Sequence, residues 1–264
     1  MRIAVAATAP FGADVLERLA GRFDVAALLT RPDRPAGRGR RVTAPPAKVA
    51  AERLGIPVLQ PEPPTAELEL PADTVIVCAY GLLIPESLLT RGLWLNVHPS
   101  LLPRWRGAAP VERAIMAGDT ETGVTIHETV KQLDAGPIAA QRAFPIAPED
   151  DAGAVFARAA AVAAELIADV LPEPELTPQP EDGVTYAAKI EPADRELDLS
   201  RPPEELVNRV RALSPHIGAR AELHGRRVVV WGARVGEDST FRPLDVQPEG
   251  GRRMPYEAWL RGLR

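Results

Sequence analysis

The stretch "ADTVIVCAYGLLIPESLLTRGLWLNVHPS" runs from Ala72 to Ser100 and holds two apolar runs with a short helical pattern between them. "ADTVIVCAY" is a continuous apolar run rather than an alternating one, so it reads as a strand buried on both faces. "GLLIPESLL" leads into a short helix, and "LWLNVH" is a second strand. Strand, helix and strand in that order predict a parallel pair joined by a crossover.

The same rhythm extends outward. On the N-terminal side, "RIAVAA" is a buried strand, and "GADVLERLAG" is a helix with Val15, Leu16 and Leu19 at helical spacing and Gly21 as its stop. "FDVAALLT" is another strand, and "PPAKVAAERLG" is a helix with proline at its start and Gly55 at its end. On the C-terminal side, "VERAIMAGD" is helical. "TGVTIHETV" and "IAAQRAFPI" alternate and are read as a pair, an antiparallel or mixed extension of the sheet. "AGAVFARAAAVAAELIADVL" is a long alanine-rich helix. The expected fold is α/β, a mostly parallel Rossmann-like sheet covered on both faces.

The composition then shifts. Pro172 to Gly183, "PEPELTPQPEDG", is rich in proline and acid and nearly devoid of apolar residues, which reads as a linker. The expected organisation is a first domain over 1–171, a linker over 172–184 and a smaller β-rich unit over 185–264. In that unit "PPEELVNRVRAL" is a helix, "ARAELHG" and "RRVVVWGARV" are strands, "PYEAWLRGLR" is a final helix, and Gly225 marks a hairpin turn.

Bulk properties narrow the function classes. Of the 264 residues, 45% are apolar and 25% charged, as in an ordinary globular protein with a real core. The net charge is −5, so a nucleic-acid partner would have to be met by a local basic patch. The single cysteine, Cys78, rules out an internal disulfide and suits a reducing cytoplasm, where the protein is expected. No apolar run approaches the roughly 20 residues that span a bilayer, so no membrane partner is expected. A monomer is expected.

The chemistry concentrates at the end of "LWLNVH". Asn96 and His98 share one face of that strand, and Pro99 and Pro103 then bend the chain into an ordered loop. A histidine there can move protons near neutral pH, and an asparagine amide can donate to a developing oxyanion. The best candidate for a carboxylate to orient the histidine is Asp134 in "KQLDAGP", a short loop between two predicted strands. The residues alone leave a catalyst and a set of caps and turn formers equally open. No His and Cys cluster has metal-ligand spacing, so no metal is expected.

"LNVHPSLLPRWRGAAP" (Leu95–Pro110) and "GDTETGVTIHETVKQLDAGPI" (Gly118–Ile138) together resemble the folate-dependent formyltransferases. That family pairs Asn-x-His with Ser-Leu-Leu-Pro and an aspartate about 36 residues beyond the histidine. Asn96, His98, Ser100–Pro103 and Asp134 match it residue by residue. Within the family, Thr30–Val42, Pro45–Pro61, Val77–Pro85 and Val184–Asp198 resemble the members that act on methionyl-tRNA.

The resemblance implies that 10-formyltetrahydrofolate donates a formyl group to the methionine α-amine of initiator methionyl-tRNA. Asn96 and a protonated His98 would stabilise the oxyanion, and Asp134 would hold His98 and favour its charged form. Tyr80, Gly81, Leu82, Ile84, Ser100, Leu101, Leu102, Pro103 and Leu133 would line the folate site. Ser100 would position the loop and the folate rather than take part in the chemistry. Arg31, Arg34, Arg38, Arg40 and Arg41 give "RPDRPAGRGRR" a local charge of +4 in an acidic protein, and this loop would grip tRNA phosphates.

Two departures stand out. "AATAPFG" (Ala6–Gly12) replaces the family's Gly-Thr-Pro turn, and the tail lacks the segment that would carry the middle strands of the family's OB-like C-terminal barrel. The C-terminal domain is therefore expected to be truncated, with a sheet edge to cover. Two other functions stay open. One is formyl transfer to an amino sugar nucleotide, glycinamide ribonucleotide or another small amine. The other is a non-catalytic tRNA- or folate-binding relative.

If the loop grips phosphates, Arg38→Ala should raise the apparent Michaelis constant for the tRNA. It should also flatten the salt dependence between about 50 and 200 mM. TRNA kinetics that match the parent protein across that range would remove the loop from the tRNA interface.

Overall fold

The computed structural model describes residues 1–36 and 41–263. It opens with β1 (Arg2–Ala7), α1 (Pro10–Ala20) and β2 (Asp24–Leu29). A short ribbon, β3 (Arg34–Ala36) paired antiparallel with β4 (Arg41–Thr43), precedes α2 (Pro46–Leu54) and β5 (Val58–Leu59). Next come β6 (Thr74–Cys78), α3 (Glu86–Leu89), β7 (Leu93–His98), β8 (Arg106–Gly107) and α4 (Pro110–Met116). β9 (Glu121–Glu128), β10 (Ile138–Pro145) and α5 (Ala152–Val170) follow. The tail adds β11 (Tyr186–Ala187), α6 (Pro203–Leu213), β12 (Ala219–Leu223), β13 (Arg226–Val235), β14 (Phe241–Pro248), β15 (Met254–Pro255) and α7 (Tyr256–Arg261).

The chain divides into two compact units. The first comprises Met1–Arg106, Gly123–Ala143 and Ala157–Thr185, and the second Gly107–Thr122, Phe144–Phe156 and Tyr186–Arg264. The stretch read as a linker is hydrogen-bonded into the first unit. The backbone groups of Thr177 and Ile138 exchange bonds at 2.7 and 2.9 Å.

The first unit holds a seven-stranded sheet of order β10-β9-β7-β6-β1-β2-β5. β1, β2, β5, β6 and β7 run parallel, and β9 turns antiparallel to β7. The mixed edge is the extension expected from "TGVTIHETV". β5 was not expected, because its two residues, Val58 and Leu59, are too few to show a pattern. Ile3 to Ala7 are fully buried, as a central strand covered on both faces must be. Proline starts α1, α2 and α4, where its missing N–H costs nothing.

The strand order places the site. From β1 the chain winds one way to β2 and β5, then crosses to β6 and β7 on the other side. This reversal opens a crevice at the carboxyl ends of the strands, where ligands bind in open α/β sheets. Registers Ala7↔Cys78 and Val77↔Asn96 bring the segments after β1, β6 and β7 to one edge. The Thr8 hydroxyl donates to the Tyr80 carbonyl at 2.8 Å there.

The second unit holds a four-stranded antiparallel sheet, β12-β13-β14-β15. Its core gathers Leu206, Val210 and Leu213 of α6 with Val228, Val230, Val246 and Trp259. The hairpin at Gly225 is as expected. His224 and Gly225, at φ of 50° and 70°, form a two-residue turn whose hand matches the strand twist. β14 was not expected, because Pro243 and Pro248 interrupt its pattern.

Candidate active site

Antiparallel pairing of β7 with β9 sets Asn96 opposite His127 and His98 opposite Thr125. Directly opposed residues share a face, so Asn96, His98 and His127 point to the same side of the sheet. Asp134, in the turn after β9, adopts φ of +47°, a backbone state that non-glycine residues seldom take. It inserts its carboxylate between the two imidazoles. One oxygen lies 3.7 Å from His98 Nδ1 and the other 3.7 Å from His127 Nε2. Those distances are charge contacts rather than hydrogen bonds. The rings are nearly perpendicular, with centroids 6.2 Å apart.

Backbone carbonyls fix both rings. His98 Nε2 lies 2.8 Å from the Trp105 carbonyl, and His127 Nδ1 lies 2.9 Å from the Glu128 carbonyl. A carbonyl can only accept, so His98 carries hydrogen at Nε2 and His127 at Nδ1. In the neutral state His98 Nδ1 and His127 Nε2 then hold lone pairs. The Asn96 Nδ2 amide, 3.0 Å from His127 Nε2, donates to that lone pair. One of the two amide N–H groups is used this way.

Both imidazoles are buried, at 4% and 2% exposure. Burial pushes His98 below the usual histidine value of 6.5, against the opposing attraction of Asp134 and the Trp105 carbonyl. Asp134 was expected to favour the charged form of His98. Its attraction is present, but burial outweighs it. His127 is pushed down to about 4, chiefly by burial, with His98 and Arg106 adding to the effect. Both rings are therefore neutral at pH 7.

The loop after β7 is held by groups the sequence did not single out. The Thr125 hydroxyl donates to the Ser100 carbonyl at 2.7 Å and accepts from the Leu102 amide at 3.1 Å. Gln141 Nε2 reaches the Leu102 carbonyl at 2.7 Å and Thr125 Oγ1 at 2.8 Å. Ser100 is fully buried, and its hydroxyl donates to the Arg104 carbonyl at 2.7 Å. His127 is the missed residue with most bearing on the chemistry. It sits in a quoted strand, but only the strand register reveals that it faces Asn96.

The residues expected at the folate site lie on the loops after β6 and β7, apart from Leu133 in the turn after β9. Tyr80, Ile84 and Leu102 are buried, Leu82, Leu101 and Pro103 are half-buried, and Gly81 is exposed. Leu133, beside Asp134, is 64% exposed. The Tyr80 hydroxyl is pushed up to about 12 by burial, against the pull of Arg31.

The basic loop is less uniform than its charge suggests. Arg38 and Arg40 lie outside the described residues. Arg41 is exposed. Arg34 pairs with Glu62. The Arg31 guanidinium lies against Gly81, where a Cβ would come within 3.1 Å of it. Behind it Lys48, Asp33 and Gln60 are mutually bonded at 2.8 to 3.1 Å, and Gln60 Nε2 donates to the Arg31 carbonyl at 2.7 Å.

Residues 1–171 match the family model described as formyl transferase, and residues 189–243 match that of the formyl transferase C-terminal domain. The methionyl-tRNA formyltransferase of Xanthomonas euvesicatoria is 45% identical over 248 residues, 88% of this chain and 80% of the relative. Among solved structures, the methionyl-tRNA formyltransferase of Clostridium thermocellum superposes with a TM-score of 0.67 at 15% identity, covering 94% of this chain and 98% of that one. HypX from Aquifex aeolicus, solved with tetrahydrofolic acid, superposes at 0.63 and 19% identity; the match covers 98% of this chain but 46% of HypX. The two family models and the 45% identity place the chain in one family: it belongs to the formyl transferase family.

Proposed function

We propose that this chain transfers the formyl group of 10-formyltetrahydrofolate to the α-amine of methionine on initiator methionyl-tRNA. Formyl transfer is supported by one observation above all, the Asp134 carboxylate set between two neutral imidazoles beside an oriented Asn96 amide. The choice of acceptor is supported by the 45% identity to proteins named methionyl-tRNA formyltransferase.

The site fits a folate donor in its apolar lining. Leu133 stands exposed beside Asp134, and Leu82 and Leu101 offer half-buried apolar surface on the loops of the same edge. The donor supplies a formyl carbon bonded to a good leaving nitrogen. Asn96 directs its second N–H toward the formyl oxygen, where negative charge develops as the amine nitrogen adds. His98 takes the proton of the attacking amine at Nδ1, the atom that faces Asp134. Burial keeps His98 neutral beforehand, and the carboxylate stabilises the imidazolium once it forms. The new N–C bond is completed as the old C–N bond breaks, and the proton held at His98 ends on the departing nitrogen. His127 keeps the Asn96 amide oriented throughout. In this reading residues 1–171 carry the chemistry, residues 185–264 form the C-terminal domain, and Arg38, Arg40 and Arg41 contact the tRNA.

Incubation with 10-formyltetrahydrofolate and charged initiator tRNA should yield formylmethionyl-tRNA, whereas small amine acceptors should stay unmodified. Asn96→Ala, His98→Ala and Asp134→Ala should each lower turnover by about 100-fold or more with the fold intact. Near-parental turnover by His98→Ala would remove it from the proton path, and formylation of the small amines alone would replace the acceptor.

A pH dependence of stability follows from His127. Its folded value, about 4, lies below the ordinary 6.5, so between those values the unfolded chain binds a proton that the folded chain refuses. Stability is complete above pH 6.5 and falls as the pH drops toward 4. His98 shifts in the same direction. The urea midpoint should decline between about pH 7 and pH 5, and His127→Gln should make that decline shallower. Parallel declines in both proteins would show that His127 is not buried neutral.

A further inference from the structure

Asp134 holds a positive φ without being glycine, a conformation whose backbone cost local contacts must offset. The determinant comes from the stretch read as a linker. Gln179 Nε2 donates to the Asp134 carbonyl at 2.8 Å and to the Gly136 carbonyl at 2.8 Å, so both its amide hydrogens clamp the Asp134 turn. Its Oε1 accepts from Arg106 at 2.6 Å (Nη2) and 3.1 Å (Nε). The amide orientation is unambiguous, since the two carbonyls require donors and the guanidinium requires an acceptor.

Arg106 is a buried cation, 8% exposed, and its neighbour Trp105 supplies the carbonyl that fixes His98. Thr185 ties down both residues. Its hydroxyl accepts from the Trp105 amide at 2.9 Å, and its carbonyl accepts from the Arg106 amide at 2.9 Å. Residues 177–185 therefore anchor the two sides of one contact, the His98 ring through Trp105 and the Asp134 carboxylate through Gln179. Gly136 admits this arrangement because a Cβ there would collide with the Glu128 carbonyl, which holds His127.

We propose that Gln179, held in place by Arg106, is a positioning residue that sets the Asp134 carboxylate between His98 and His127. The proposal rests on the formyl-transfer reading, because it assigns Gln179 to the same site. Without the clamp the Asp134 turn can relax toward an ordinary backbone state, and the carboxylate recedes from His98 Nδ1. The substrates lose no contact of their own.

Two variants test this. Gln179→Met is isosteric and removes both clamping hydrogens, but it strips a partner from buried Arg106. Gln179→Glu keeps the acceptor for Arg106, so it guards against a mere folding defect. Both should lower kcat by about 100-fold, the scale of a misplacement near 1 Å, with both Michaelis constants within about twofold of the parent. A kcat within about threefold of the parent in a folded variant, or a loss confined to the Michaelis constants, would overturn the proposal.

A second readout needs no turnover. The chain has four histidines, so their imidazole signals can be followed by NMR titration. Among the described residues, the charged groups that act on the two site rings are Asp134 and Arg106, besides the rings themselves. In Gln179→Met the withdrawal of Asp134 removes an attraction for the charged ring, so His98 should titrate at lower pH than in the parent. An unmoved His98 titration would overturn the clamp. A parent protein without turnover, but with the shift present, would overturn the formyl-transfer reading and leave the clamp standing.

Discussion

One half-buried carboxylate facing two buried imidazoles is the constraint from which the rest of the site follows. A carboxylate near uncharged rings is attractive only if each ring presents a hydrogen or can acquire a proton. Here both ring hydrogens are committed elsewhere, to the carbonyls of Trp105 and Glu128. Asp134 therefore faces lone pairs in the resting state, at 3.7 Å rather than at hydrogen-bond distance. That arrangement is uncomfortable at rest and favourable once a proton arrives. It is the electrostatic form of a site that binds the charged intermediate better than the ground state.

The fold holds this arrangement at a sheet edge where backbone geometry is stiff. Asn96 and His98 project from the last three residues of a parallel strand, and His127 from its antiparallel neighbour. The strands fix three of the four side chains to one face, and only Asp134 comes from a turn. The turn needs outside support, and it receives it from a segment some 45 residues further along the chain. A parallel sheet that continues into an antiparallel strand brings these pieces together, since β9 sets His127 directly opposite Asn96.

Much of this was legible in the sequence, and the limits have physical causes. The parallel core was readable because its strands are continuous apolar runs separated by proline-started helices, a local signal. Asn96, His98 and Asp134 were readable as candidates, because polar residues at an apolar strand end and in a Gly-Pro turn stand out. His127 was not, because its place opposite Asn96 depends on strand register. Gln179 was not, because a proline-rich acidic stretch reads as solvent-exposed, and nothing local shows that one of its side chains is committed to a turn elsewhere. Arg31 and Arg34 show the reverse limit. Charge counting groups them with Arg41, while the structure sends one toward Gly81 and the other to Glu62.

The neutral, oppositely protonated imidazoles carry the account, and long-range proton–nitrogen NMR of the histidine rings at pH 7 reads them directly. The account predicts two uncharged rings in different tautomers, His98 with its hydrogen on Nε2 and His127 with its hydrogen on Nδ1. An imidazolium at either position, or the same tautomer at both, would contradict it.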